Sequence, residues 1–402
     1  MPRTRLHEVP PTAGLPLRLA DLLPGRTDLA GRIAALLDMP PLQLECSGTA
    51  ALLLTLRVLK ARSPRRPVVV VPAYTCPLVA IAVHCAGLRL RLCDLRPGHY
   101  DMDPQALAEA CREDTLAVLP THLAGRVADI DTAVSVARRA GAYVIEDAAQ
   151  ALGARDRGAS VGLRGDVGFF SLAAGKGLSI YEGGLLLARE PELREALRRA
   201  HADVPRSLGW ELRRSLELLG LAALYRPLGL GLAYGRPLRA ALRRGDPVAA
   251  VGDHFGPTIP FHRVGAWRRA VGAHAAPRLP AFLATLAAQA ASRVSRLRQI
   301  AGVEVLGDPP GAQGTWPFLL LRLPDTRMRD ATLARLWQAG LGVSRLFIHA
   351  LPDYAYLADR VPRQDVPNAR DFAACTLTVS NSPWLDEAAF GLIADEIART
   401  VA

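Results

Sequence analysis

Of the 49 lysines and arginines in this 402-residue chain, only Lys60 and Lys176 are lysines. Lys176 lies in the sequence Ala-Ala-Gly-Lys-Gly, five residues after Ser171. An amine can lose its proton and attack a carbonyl, whereas a guanidinium stays protonated and cannot form a Schiff base. A lysine in a chain that otherwise uses arginine is therefore a candidate for covalent chemistry.

A carboxylate follows a predicted strand upstream of this lysine. Residues 142–145 form an apolar run that predicts a buried strand, and Asp147 follows at its carboxyl end, where open α/β sheets bind ligands. Pyridoxal phosphate needs a lysine to hold its aldehyde and a carboxylate to keep its pyridine nitrogen protonated. A helix cap and a surface lysine are the alternatives, but the spacing of Gln150, Ser171 and Lys176 favours the cofactor.

Apolar runs and amphipathic segments alternate around these residues. Strands are predicted at 68–71, 88–95, 116–121 and 142–146, and helices at 77–87, 104–112 and 130–140. This alternation predicts a mostly parallel sheet with helices on both faces. No Gly-x-Gly-x-x-Gly follows the first strand, which disfavours a dinucleotide-binding fold. His122 follows the third strand at the expected ligand edge, where a structural and a functional role are equally open.

The start of the first amphipathic helix is a candidate anion site. Residues 45–50, Glu-Cys-Ser-Gly-Thr-Ala, begin this helix with small and hydroxyl-bearing side chains. Backbone N–H groups at such a start are free to bind an anion at the positive end of the helix. A plain helix cap is the alternative for this segment taken alone.

Composition restricts the class of partner. The formal net charge is +11, but the arginines are spread along the chain and aromatics are only 5% of residues, so we expect phosphate-bearing small molecules and no nucleic acid. The six cysteines show neither metal-ligand spacing nor a disulfide framework, which predicts reduced thiols and no metal. The N-terminus lacks the apolar core of a signal peptide, so a cytoplasmic location is expected.

Residues 205–258 differ from the rest of the chain. They are rich in leucine, are interrupted by Pro227 and several glycines, and are flanked by arginines, so they are too broken for a spanning helix. One interpretation is an apolar helical insert that packs as a hairpin on the body or on a second subunit. The other is peripheral contact with the inner membrane face, with leucines in the headgroup region and arginines on anionic lipid.

The C-terminal part predicts a second, smaller domain. A long amphipathic helix at about 279–300 is followed by strands near 303–306 and 316–323 and helices near 329–340 and 386–401. We therefore expect a large α/β domain over residues 1–255, which includes the insert, and a small α+β domain over residues 256–402.

Several ordered motifs resemble the DegT family of pyridoxal-phosphate sugar aminotransferases, within the fold-type I aspartate aminotransferase superfamily. The resemblance extends from about residue 40 to the end of the chain. It is carried by Ser-Gly-Thr-Ala-Ala-Leu at 47–52, Pro-Ala-Tyr-Thr at 72–75, Asp-Met-Asp-Pro at 101–104, His-Leu-Ala-Gly at 122–125, Glu-Asp-Ala-Ala-Gln at 146–150, Ser171 with Lys176, and Glu-Gly-Gly at 182–184. It implies a large, mostly parallel seven-stranded sheet domain, a small C-terminal α+β domain and a homodimer.

The resemblance implies a role for each matching residue. Lys176 would hold the cofactor covalently and move a proton during the reaction, and Asp147 would pair with the pyridinium nitrogen. The other expected cofactor or catalytic residues are Gln150 at the ring hydroxyl, Ala149 on one ring face, Gly48, Thr49 and Ser171 at the phosphate, and His122 at the facing strand end. Relatives that dehydrate sugars have histidine in place of Lys176, so amino transfer is expected here.

Two departures from the family pattern concern the ring and the subunit boundary. Cys76 stands where the family commonly has an aromatic residue stacked on the ring, with Tyr74 close by as a further cofactor contact. The family's Asn-Tyr-Arg-Met stretch, whose asparagine reaches the neighbouring subunit's cofactor phosphate, is Phe-His-Arg-Val at 261–264. Its arginine, Arg263, and Tyr181 are the candidates for substrate or cross-subunit contact.

The expected function is transfer of an amino group from glutamate or glutamine to a keto sugar, in the first place a nucleotide-linked one, as in polysaccharide or natural-product biosynthesis. One alternative is a pyridoxal-phosphate enzyme that acts on a non-sugar or lipid-linked ketone, or a lyase. The other is a non-catalytic cofactor-binding regulator. The sequence names neither the acceptor nor the donor.

Overall fold

A computed structural model describes residues 7–25 and 28–402, so the first six residues of the predicted large domain lie outside the described residues. The helices are α1 Leu29–Leu37, α2 Gly48–Arg62, α3 Pro77–Cys85, α4 Pro104–Ala110, α5 Ile130–Ala140, α6 Pro191–Ala202, α7 Leu208–Leu224, α8 Pro227–Leu230, α9 Arg236–Arg243, α10 Pro247–Val251, α11 Ala266–Ala275, α12 Leu279–Leu297, α13 Thr326–Leu336, α14 Pro367–Cys375 and α15 Glu387–Val401. The strands are β1 Gln43–Glu45, β2 Val68–Pro72, β3 Arg89–Cys93, β4 Thr115–Val118, β5 Tyr143–Asp147, β6 Arg155–Asp156, β7 Ala159–Ser160, β8 Val167–Ser171, β9 Gly184–Ala188, β10 Glu304–Val305, β11 Ala312–Gln313, β12 Phe318–Arg322, β13 Val343–Ser344 and β14 Thr376–Ser380.

The large sheet has seven strands in the order β1-β9-β8-β5-β4-β2-β3. Only β9 runs against the others, because it pairs antiparallel with both β1 and β8. β2, β4, β8 and β9 are buried along their whole length, as expected for a sheet covered on both faces. The α/β fold with a mostly parallel seven-stranded sheet is thus confirmed.

The third predicted strand is shorter than expected. β4 ends at Val118 instead of residue 121. Pro120 has no N–H for the ladder, although its carbonyl accepts from Asp147 N at 2.9 Å, and Thr121 keeps a single bridge to Asp147. The chain therefore leaves the sheet just before His122.

The C-terminal elements form a second antiparallel sheet in the order β10-β12-β14-β13. α12 joins it to the large sheet: Leu279 and Leu286 pack in a core with residues of β8 and β9, whereas Val294 and Leu297 pack against β12 and β14. Residues 264–276 also pack in the first of these cores. The predicted domain boundary at residue 255 remains a prediction.

Residues 205–258 fold into α7, α8, a π-helical turn Gly231–Gly235, α9 and α10. Among the described residues, no single helix is long and apolar enough to cross a membrane. The pair Leu208–Leu224 and Pro227–Arg243 reaches that hydropathy only together, and it is bent by 118° where Pro227 begins the second segment.

Candidate active site

Lys176 lies in the turn that joins β8 to β9, whose pairing sets Ser171 opposite Gly184. The turn is closed by a hydrogen bond from Ala174 N to Tyr181 O at 3.0 Å and is held from outside by Thr12, whose hydroxyl donates to Gly175 O at 2.7 Å. Burial lowers the pKa of the Lys176 ammonium, and the nearby Cys76 and Asp147 partly oppose this. A lysine with a lowered pKa is closer to the neutral amine that attacks carbonyls.

Asp147 ends β5, the neighbour of β8, and is 4% exposed. One carboxylate oxygen accepts from Ala149 N at 3.0 Å. Burial raises the pKa of Asp147, while the Ala149 N–H, Lys176 and His122 act in the opposite direction. Asp147 pairs with Phe169 of the parallel strand β8, so the turn that carries Lys176 begins at the same edge of the sheet as Asp147. A buried carboxylate of this kind is stabilised in its charged form by a cationic partner.

The start of α2 meets the end of β8. Ser47 caps the helix by accepting from Ala50 N at 3.0 Å, whereas the N–H groups of Gly48 and Thr49 have no acceptor within the described ranges. A Cβ at Gly48 would lie 3.3 Å from the Ser171 Cβ, so the helix approaches this serine closely. Two free N–H groups at a helix start beside a hydroxyl form a suitable cradle for a phosphate.

Gln150 and Ala149 line one pocket together with Ser171 and Lys176. The Gln150 side-chain oxygen accepts from Ala124 N at 2.7 Å, which orients the amide. The amide nitrogen of Gln150 then remains as a donor for an oxygen of a ligand.

His122 does not present a free ring nitrogen to this site. Its Nδ1 accepts from Ala128 N at 3.1 Å, so Nε2 carries the proton and donates to Glu146 Oε2 at 2.9 Å. Both side chains are completely buried. Both ring nitrogens are thus used in contacts within the chain, and a catalytic role for His122 remains a prediction.

Glu146 is the residue that this histidine holds. Burial would raise the pKa of Glu146, but hydrogen bonds from His122, Gly165 N and Gly162 N bring it below its usual range. The carboxylate therefore ties β5 to the 162–165 loop from inside the sheet, one residue before Asp147.

Glu146→Gln is expected to lower the free energy of unfolding by about 2–3 kcal/mol, because the substitution removes charged hydrogen bonds in the interior. A lowered folded-state pKa means that the stabilisation is present above the unfolded pKa and is lost as pH falls through the folded one. Urea unfolding at neutral pH should therefore give a higher free energy of unfolding for wild type than for Glu146→Gln, and this difference should become smaller in acid. Glu195→Gln, which removes a surface pair with Arg198, is the control and should leave the midpoint unchanged. Equal midpoints for Glu146→Gln and wild type would contradict the role.

Tyr74 is fixed by the C-terminal part of the chain. Its hydroxyl donates to Phe347 O and accepts from Phe347 N, both at 3.1 Å, and its ring packs edge-on against Phe347 and Phe372. A cofactor contact at Tyr74 remains a prediction. Burial raises the pKa of the Cys76 thiol to about 12; the charge of Asp147 adds to this shift and Lys176 opposes it.

Sequence reasoning missed a buried acid beside Cys76. Asp253, 4% exposed, accepts from Ile348 N at 2.9 Å and from the Tyr354 hydroxyl at 2.6 Å, and its carbonyl accepts from the Tyr356 hydroxyl at 2.5 Å. Its charge raises the pKa of Cys76, as burial does. The end of the insert and the 347–356 segment therefore form a wall next to the position where the family has a stacked aromatic. The only sequence signal was the dense Tyr354-Ala-Tyr356 spacing.

Arg263 and Tyr181 lie on the α7 side of the molecule. The guanidinium of Arg263 donates to the carbonyls of Ala202 and of Val204, the latter at 2.9 Å, so it holds the α6–α7 connection of its own chain. Tyr181 has a φ of +67°. The guanidinium carbon of Arg214 lies over its ring, 5.7 Å from the ring centre. Substrate or cross-subunit contact remains a prediction for both residues.

The fold of this chain matches that of solved α/β aminotransferases. The fold is that of the putative sugar aminotransferase Spr1654 from Streptococcus pneumoniae in its PLP form, with a TM-score of 0.74 and 18% identity over 98% of this chain and 99% of that one. A model of the DegT/DnrJ/EryC1/StrS aminotransferase family matches residues 30–213, so this part of the chain is similar to that family.

Two curated relatives show how far the similarity extends. Protein MosB of Rhizobium meliloti is 40% identical over 38% of this chain and 30% of its own length. A dTDP-3-amino-3,4,6-trideoxy-alpha-D-glucose transaminase of Streptomyces venezuelae is 28% identical over 79% of this chain and 72% of its own length. The match thus spans 30% of the length of MosB.

The site residues fit the cofactor that the family implies, pyridoxal phosphate. The free N–H groups of Gly48 and Thr49 with the Ser171 hydroxyl suit its phosphate, and the Gln150 amide nitrogen suits its ring oxygen. Asp147 offers a buried carboxylate for a cationic ring nitrogen. Lys176, with its lowered pKa, offers the amine for its aldehyde.

Proposed function

We propose that this protein is a pyridoxal-phosphate-dependent aminotransferase that moves an amino group from glutamate or glutamine to a keto sugar, in the first place a nucleotide-linked one. The observation that carries the proposal is the placement of Asp147 at the end of β5 and of Lys176 in the turn that follows the neighbouring strand β8, where each shifts the pKa of the other. The family and the name of the Streptomyces relative support the sugar as acceptor.

Each site residue would contribute a separate function. The bound cofactor would act as an electron sink for the substrate carbon. Lys176, with a pKa lowered by burial, would take a proton from one carbon and return it to another. Asp147 would keep the ring cationic from its buried position, and the α2 N-terminus with Ser171 would hold the phosphate in place.

The two half-reactions can be tested separately. Adding glutamate or glutamine to the cofactor-loaded protein should shift the cofactor's absorption to that of the aminated form, and the donor with the larger kcat/KM is the preferred one. A panel of nucleotide-linked keto sugars should then restore the original spectrum. A protein that binds the cofactor but shows no shift with any amino acid would support the non-catalytic regulator instead. Amination without reversal by any sugar would point to a non-sugar ketone.

We also propose a cytoplasmic homodimer with the site near the subunit boundary. Arg263 supports this, since it matches the arginine of the family stretch whose asparagine reaches the neighbouring subunit. Sedimentation of the loaded protein is expected to give a dimer at the concentrations used for turnover. A monomer that retains full activity would overturn the assignment.

A further inference from the structure

The insert carries an exposed apolar surface. Of the eleven large hydrophobic side chains that are exposed in the described residues, seven fall between residues 208 and 232. We call this surface the leucine face; its members are Leu208, Leu212, Leu216, Leu219, Leu224, Leu228 and Leu232. Exposed apolar clusters of this kind mark contact surfaces in proteins.

The leucine face is separate from the face by which α7 packs on the body. Leu208, Leu212, Leu216 and Leu219 follow the i, i+4, i+8, i+11 spacing of one helix face, and the first three are 87%, 64% and 60% exposed. Leu218 is completely buried instead. The Tyr225 hydroxyl, which donates to Thr12 O at 2.9 Å and accepts from Gly14 N at 3.0 Å, fixes the end of the helix to the N-terminal segment. The exposed face is therefore held outward by a well-packed helix.

Within residues 206–244, the charges that make no ion pair with a described residue are all positive. Residues 206–244 contain eight arginines and two glutamates. Both glutamates are neutralised, Glu211 by Arg268 at 2.7 Å and Glu217 by Arg213 and Arg214. Five exposed arginines of this segment make no ion pair with any described residue: Arg206, Arg226, Arg236, Arg243 and Arg244.

This charge pattern distinguishes two possible partners of the leucine face, a second copy of the chain and an anionic membrane. A two-fold contact between copies of the chain would bring one set of arginines towards the other, and like charges in an interface oppose association. An anionic bilayer complements both features, because the leucines enter the headgroup region and the arginines meet lipid phosphates. We propose that the leucine face binds the surface of an anionic membrane, with the bent pair α7 and α8–α9 lying on the bilayer.

Flotation of the cofactor-loaded protein with defined vesicles tests the proposal. The protein should float with vesicles of phosphatidylcholine and phosphatidylglycerol at low salt, and binding should fall about tenfold or more with phosphatidylcholine alone or at high salt. Absence of binding to the anionic vesicles at low salt would overturn the proposal.

Substitutions separate the leucine face from a general effect of positive charge. The triple variant Leu212→Ser, Leu216→Ser, Leu219→Ser should lose binding by about tenfold or more while keeping the wild-type unfolding midpoint. Leu392→Ser, at a 52% exposed leucine on α15, is the matched control and should bind as wild type does. If the triple variant does not fold, Arg243→Glu with Arg244→Glu serves as the second variant and should lose binding in the same way. A triple variant that binds vesicles normally, or that dissociates a dimer in sedimentation, would assign the face to another role and refute the membrane contact.

Discussion

Lys176→Arg is expected to abolish amino transfer and leave the fold intact. The guanidinium keeps the positive charge but cannot lose a proton to attack the cofactor's aldehyde or to carry protons between carbons. We expect kcat to fall by at least about a thousandfold, which corresponds to about 4 kcal/mol in the activation barrier. Steady-state kinetics and the unfolding midpoint of the variant together check this result.

Lys60→Arg is the matched control, because Lys60 is the only other lysine in the chain. Its amine donates to the carbonyls of Ala86 at 3.0 Å and Gly87 at 2.9 Å, contacts that a guanidinium can also make, so activity should be unchanged. Borohydride reduction of the wild type followed by peptide mass analysis should place the cofactor on Lys176. An adduct on Lys60, or no adduct, would disprove the assignment.

Asp147→Asn is expected to leave cofactor binding intact and to lower kcat by about two to four orders of magnitude, or roughly 3–5 kcal/mol. The amide has the same shape and can still accept from Ala149 N, but it carries no charge to keep a ring nitrogen protonated. Glu146→Gln, one residue earlier, provides the contrast, since it should affect stability more than turnover. Near-normal turnover in Asp147→Asn would contradict the role.

Asp147→Asn should also be more stable than wild type when the cofactor is removed. Burial raises the folded-state pKa of Asp147, so its ionisation opposes folding at pH values above that pKa and the cost disappears in acid below the unfolded value. Asparagine avoids this cost at neutral pH. Thermal unfolding of the cofactor-free proteins should therefore give a higher midpoint for Asp147→Asn at pH 7, and the difference should vanish as pH falls. A lower midpoint for Asp147→Asn than for wild type at pH 7 would show that the Asp147 carboxylate stabilises the folded state.

Local sequence patterns determined the sheet and marked the candidate reacting residues. An apolar run followed by an acid predicted β5 with Asp147 at its end, and the isolation of Lys176 marked it without any structure. Such features depend on neighbours within a few residues, because strand burial and the carboxyl end of a strand are local properties of the chain. Ser171 and Gln150 were found in the same way, from their short spacing to these two residues.

Only the tertiary structure decided which nearby side chains face the site. Tyr74 and Cys76 are two residues apart, yet only Tyr74 is fixed by Phe347 and Phe372 from the far end of the chain, whereas the charge of Asp147 raises the pKa of Cys76. These contacts join residues separated by about 270 positions or more, so no local pattern records them. The direction of the leucine face likewise follows from which side of α7 packs on the body. The sequence alone determined that the segment is apolar and basic, and long-range packing determined that its leucines face outward.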